Sequence, residues 1–137
     1  MTDYICHDCP RQCGALRTIS KGGGFCGCPS LPVVSLFTPH FGEEPCISGT
    51  KGSGAVFFEG CNLGCVFCQN HLISRGFKGR PIEINELCDI FLQLQDKGVH
   101  NINLVTGGHY IRAVAEALSK VKLNIPVVWN SSGYESV

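Results

Sequence analysis

Residues 55–68, Ala55-Val56-Phe57-Phe58-Glu59-Gly60-Cys61-Asn62-Leu63-Gly64-Cys65-Val66-Phe67-Cys68, join a short apolar run directly to three cysteines. The run at 55–59 has the length and composition of a buried strand. Beyond the cysteines, Pro81-Ile82-Glu83-Ile84 reads as an extended lead-in to a helix over about 85–97, capped by Asn85 or its neighbour. Leu87, Ile90, Phe91 and Leu94 fall at i, i+3, i+4 and i+7 and make one apolar stripe. Gly98 stands where a glycine commonly ends a helix. A second strand is predicted over 101–105, ending at Thr106-Gly107-Gly108. A helix over about 110–120 follows, with Ile111, Val114, Ala115, Leu118 and Val121 in phase, then a third strand at 126–130. The connections are too long for hairpins, so the strands pair in parallel through right-handed crossovers. The expected fold class is α/β.

Towards the amino terminus the pattern changes. Residues 1–54 are rich in Cys, Gly and Pro, show no sustained period, and are interrupted by Gly22-Gly23-Gly24, Pro29, Pro32, Pro39 and Pro45. They read as an irregular, metal-stapled lobe with at most short strands, one of them at 33–37. Two units are therefore expected, a Cys-rich lobe at 1–54 and an α/β unit at 55–137. No repeat or low-complexity tract is visible.

Composition narrows the function classes. Eleven Lys and Arg balance eleven Asp and Glu, which argues against steering toward nucleic acid or an anionic membrane. With 44% hydrophobic and 16% charged residues, the chain is not intrinsically disordered. Ten cysteines in 137 residues are the outstanding feature. The first twenty residues hold no apolar stretch of signal-peptide length and already contain Cys6, Cys9 and Cys13. A cytoplasmic, reducing location is expected, and cysteine clusters there read as metal ligands or redox groups.

The spacing Cys61-x3-Cys65-x2-Cys68 places three thiolates within eight residues. A loop this short, with Gly64 to allow a tight turn, can wrap three corners of one cubane cluster. No fourth cysteine follows at ferredoxin-like spacing, so a [4Fe–4S] cluster held this way keeps one iron open to an external ligand. The competing reading is a zinc site completed by His71.

The same residues resemble the radical S-adenosylmethionine (SAM) superfamily, whose signature is CxxxCxxC with an aromatic before the last cysteine. Gly52-Ser53-Gly54, residues 57–63, Cys68-Gln69-Asn70, residues 101–106, residues 130–135 and the amino-terminal stretch 6–14 resemble its branch related to pyruvate formate-lyase activating enzymes. The resemblance implies a partial (βα) barrel, of which this chain supplies about three units, so that it looks like a fragment or truncated product. Such a half-barrel is expected to bind SAM more weakly than a complete one. It implies that Cys61, Cys65 and Cys68 hold the cluster and that SAM chelates the open iron. Reductive cleavage would then give a 5′-deoxyadenosyl radical that abstracts hydrogen. Phe67 matches the position that packs near the adenine. Gly107 and Gly108 align with a Gly-Gly-Glu stretch that contacts the SAM amino group, and His109 stands where the glutamate is usual. A glycyl radical enzyme as partner and reduced flavodoxin or ferredoxin as electron donor are implied in the same way.

In the amino-terminal lobe, Cys6-x2-Cys9-x3-Cys13 together with Cys26 reads as a second metal site, for which zinc and an iron–sulfur cluster are both open. Cys28 completes that set of five, while Cys46 and Cys88 are isolated, Cys88 as a small buried residue. Arg75, Lys78 and Arg80 read as a solvated loop or a docking site for an electron donor. A zinc-stapled module without catalysis is the alternative to an enzyme. A thiol–disulfide oxidoreductase using Cys6 and Cys9 is weaker, since no clear strand precedes them.

Overall fold

The computed structural model describes residues 1–76 and 78–136; Val137, the last residue of the second expected unit, lies outside them. Two short strands, β1 (Tyr4–Cys6) and β2 (Ala15–Arg17), form an antiparallel ribbon in which Cys6 pairs with Ala15. The main sheet contains β3 (Val34–His40), β4 (Ser53–Phe58), β5 (Ile102–Val105) and β6 (Val127–Asn130), side by side in that order. β4, β5 and β6 run parallel, as the crossover argument requires, and β3 pairs antiparallel to β4. The protein is therefore a mixed α/β structure with a parallel sheet. The boundary expected at residue 54 falls inside this sheet, because the 33–37 run extends into a seven-residue strand that hydrogen-bonds along β4. The cysteine lobe proper precedes β3.

Among the described residues, four α-helices connect the strands: α1 (Pro45–Ser48), α2 (His71–Ser74), α3 (Ile84–Asp96) and α4 (Ile111–Lys120). α3 buries Ile84, Leu87, Ile90, Phe91 and Leu94, each stabilising the fold by about 1.5–3 kcal/mol where burial is complete. Its cap is Glu83 rather than Asn85 and makes no side-chain cap bond. The apolar stripe sets where this helix begins, because Ile84 is already buried against the core. Gly98, at φ +78°, follows its C-cap. α4 begins one residue later than expected, after a 3₁₀ turn over Gly107–Tyr110. Both helices pack on one side of the sheet, where Val56, Phe58, Ile102 and Leu104 join Leu87, Phe91, Val114 and Ala117 in the core. Cys88 packs there too, its Sγ 3.4 Å from the Ala117 carbonyl. Alternation along the strands turns Phe57, Val105 and Asn130 to the opposite face.

Candidate metal and cofactor site

The carboxyl ends of β4, β5 and β6 lie at one end of the sheet, and the segments leaving them meet in a cleft of about 590 Å³. Cys61, Cys65 and Cys68 line it, with Thr106 from the end of β5 and Asn130 and Ser132 from β6 and its exit. Phe57 and Val105 also line it, and His40 and Glu43 close it at the far end. The cysteine loop is built to hold its shape. Gly60 N–H donates to the Ile73 carbonyl at 3.0 Å. The buried Glu59 carboxylate accepts from Lys78 N–H at 3.0 Å and Gly79 N–H at 3.2 Å, tying the loop's exit to its entry. Gly64 sits at φ +76°, and a side chain there would run into the Arg75 guanidinium. Leu63 N–H donates to Cys61 Sγ at 3.3 Å and Ser74 Oγ to Cys68 Sγ at 3.8 Å.

All three cysteines are half-buried with reduced thiols. A cleft of this volume falls in the ~300–1,000 Å³ range of cofactor sites, and soft thiolates on a short loop are the donor set a cubane requires. His71, the candidate fourth zinc ligand, is exposed at the start of α2 and does not line the cleft. Among the described residues, no three Cys, His, Asp or Glu side chains converge on a single-ion position.

Other predicted residues fall elsewhere. Phe67 is 86% exposed on the loop and is not part of the cleft wall. Gly107 and Gly108 are buried directly behind Thr106, Gly107 against the Phe58 and Trp129 rings. His109 does not line the cleft. The 3₁₀ turn rotates its ring inward, where it is 3% exposed and its Nε2 lies 2.9 Å from the Glu59 carbonyl. Burial, aided by the nearby Arg17 charge, holds its pKa down at about 4.

His109 instead reaches a second cavity, of about 20 Å³, whose walls include Cys6, Cys9, Cys13, Cys26 and Arg17. The four sulfur-bearing residues thus come from β1, the turn after it and the 22–28 loop to one place. Cys28 is fully buried outside that cavity, and burial pushes its thiol up. Hydrogen bonding from Cys28 holds the Cys26 thiol down at about 6, against the effect of its own burial.

Several contributors have no signal in spacing or composition. Arg11 donates to the Asn62 and Leu63 carbonyls of the cysteine loop, and its guanidinium stacks 3.4 Å over Phe25. Arg75 stacks on the same ring at 4.5 Å, so this part of the basic run folds back onto the loop. Glu135 lays its carboxylate against Gly108 and accepts from Ser131 Oγ at 2.7 Å. Asn103 is fully buried in β5, and neither polar atom of its amide has a partner among the described residues.

Three loop cysteines at the carboxyl end of a parallel sheet are a donor set suited to an iron–sulfur cluster. The family model of the radical SAM superfamily matches residues 55–136, and the chain belongs to that superfamily. The family implies a [4Fe–4S] cluster and SAM. The chain is also 33% identical to an uncharacterised protein, MJ0674, of Methanocaldococcus jannaschii, over 96% of its own length. It spans 40% of the length of that relative. No solved structure matches it. Among the described residues, no helix is long and apolar enough to cross a membrane.

Proposed function

We propose that Cys61, Cys65 and Cys68 hold a [4Fe–4S] cluster and that the adjoining cleft receives SAM. The observation that carries this reading is the meeting of those three cysteines with Thr106, Asn130 and Ser132 in one cleft of cofactor size. Held there, the cluster and SAM would together supply one-electron radical chemistry directed at a C–H bond of a substrate.

The chain's own residues prepare the site. The Leu63 amide and Ser74 hydroxyl donate toward two of the sulfurs, which spreads thiolate charge and favours reduction. Leu63, Ile73 and Phe57 give the cleft apolar walls that limit water. The buried His109 supplies no carboxylate; the Glu135 carboxylate lies against Gly108, outside the residues that line the cleft, and this reading assigns it to the SAM amino group. We read the parallel strands as part of a larger βα barrel, which the match to 40% of a longer relative supports. The finer reading is a pyruvate formate-lyase activating enzyme-like oxidoreductase in the cytoplasm, which installs a glycyl radical on a partner and is reduced by flavodoxin or ferredoxin. The exposed Val66-Phe67 tip beside the cluster ligands supports a protein docking there.

Anaerobic reconstitution is expected to load about four irons at this site, and dithionite with SAM to release 5′-deoxyadenosine. Cys61→Ala abolishes both, and Glu135→Gln weakens SAM binding about tenfold, or ~1.4 kcal/mol, by calorimetry. Nucleoside release that survives Cys61→Ala, or zinc in place of iron, would overturn the assignment.

A further inference from the structure

We propose that Cys6, Cys9, Cys13 and Cys26 bind one zinc ion, and that this ion sets the amino-terminal lobe against the cluster loop. All four residues line the same small cavity. The backbone around them is shaped for convergence. Gln12 holds φ +46°, a left-handed conformation unusual for a side-chain-bearing residue. Its amide Nε2 donates to the His7 and Cys9 carbonyls, each at 3.0 Å, and its N–H donates to the Cys9 carbonyl. This turn orients Cys9 and Cys13 together. The 22–28 loop closes over them, with Gly24 so near Cys13 Sγ that a Cβ would stand 2.7 Å away.

The buried charge calls for an anionic centre, and the narrow space favours a single ion over a larger group. About 20 Å³ is one to two water-sized spheres, which suits a single ion better than an eight-atom cubane. Arg17 lines the cavity at 1% exposure, and among the described residues no carboxylate lies within 4.0 Å of it. Its donors go to the Cys28, Pro29 and His109 carbonyls, to Tyr4 Oη and, at 3.8 Å, to Cys6 Sγ. Asp8 lines the same cavity but reaches Arg17 only through Tyr4 Oη and is itself paired with Arg112, and a buried cation so indirectly countered is costly. Four thiolates around a divalent ion carry a net double negative charge and supply a counter-charge. The side chains have not converged on a single point, so ion binding draws the four sulfurs inward by rotamer changes within the closed backbone.

The consequence reaches the other site. Arg11 lies between Cys9 and Cys13, and Phe25 precedes Cys26. These are the two lobe residues that grip the cluster loop, Arg11 through the Asn62 and Leu63 carbonyls and Phe25 through its stack between Arg11 and Arg75. The ion therefore fixes both ends of that grip.

The test is metal analysis of the full chain purified anaerobically, with X-ray absorption at the zinc edge. About one zinc per chain is expected, with four sulfur neighbours at about 2.3 Å. The Cys61→Ala/Cys65→Ala/Cys68→Ala variant keeps that zinc. The Cys9→Ser/Cys13→Ser variant loses it more than about tenfold and still takes iron at the remaining site. Zinc that survives Cys9→Ser/Cys13→Ser, zinc lost with the central cysteines, or iron and sulfide filling the lobe of the central variant would overturn the proposal. If the lobe variant does not fold, the spectrum of the unaltered chain decides, since fewer than four sulfur neighbours defeats it. A chain with one tetrathiolate zinc and no iron would support this inference and defeat the cluster reading, so the two fail separately.

Discussion

Thr106 holds φ +48° where β5 ends, a left-handed conformation that costs a β-branched residue about 1–2 kcal/mol. Its N–H donates to the Asn130 carbonyl at 2.8 Å, which locks the ends of β5 and β6 together in the cleft wall. Thr106→Gly is expected to raise stability by about 1 kcal/mol, read as a higher urea midpoint at unchanged slope. A lower midpoint would show that the side chain's contacts outweigh the strain. His109 is a second residue under constraint. Its ring is neutral, with the Nε2 proton on the Glu59 carbonyl, and its pKa lies at about 4 against 6.5 for a free imidazole. The unfolded chain takes this proton below pH ~6.5 and the folded chain only below ~4. The stability present above pH 6.5 therefore drains as pH falls toward 4, by about 3 kcal/mol. His109→Gln should remove that part of the pH dependence in paired denaturation curves, and identical slopes in both proteins would refute it.

The cysteine loop shows how an irregular segment is made rigid without regular structure. Glu59 ties its exit to its entry, Gly60 bonds to Ile73, and Arg11, Phe25 and Arg75 brace the turn at Asn62–Gly64. Two guanidinium groups stacked on one ring beside the loop of Cys61, Cys65 and Cys68 would also favour the more negative, reduced state of a redox group bound there. Arg11→Gln/Arg75→Gln is expected to lower the midpoint potential of the reconstituted cluster on the order of tens of millivolts. A potentiometric titration followed by EPR reads this directly, and an unchanged midpoint would confine the two arginines to bracing. The helices were legible in sequence because their order is local. Leu87, Ile90, Phe91 and Leu94 repeat at the period of the helix, and Gly98 ends it through its own φ. Glu59 as a strut was not legible, since its partners lie about twenty residues away and no spacing rule connects them.

Arg17 joins the cysteine lobe to the sheet. One buried side chain on β2 links the 22–28 loop, through the Cys28 carbonyl, with the 3₁₀ turn at His109. Arg17→Met leaves buried acceptors unpaired and is expected to destabilise the protein by about 3–5 kcal/mol, measured as a fall in denaturation midpoint. A loss under ~1 kcal/mol would mean that the lobe is held by other contacts. Chain order alone determined the parallel β4–β5–β6 arrangement and the cysteine spacing, because alternation, helical period and connection length are properties of neighbours in sequence. Only the tertiary structure decided that β3 returns antiparallel beside β4, that His109 turns away from the cleft, and that Arg17 meets a carbonyl 92 residues distant. Those outcomes depend on which buried charges and hydrogen-bonding groups find partners once distant segments pack, and that matching has no period a linear pattern can carry.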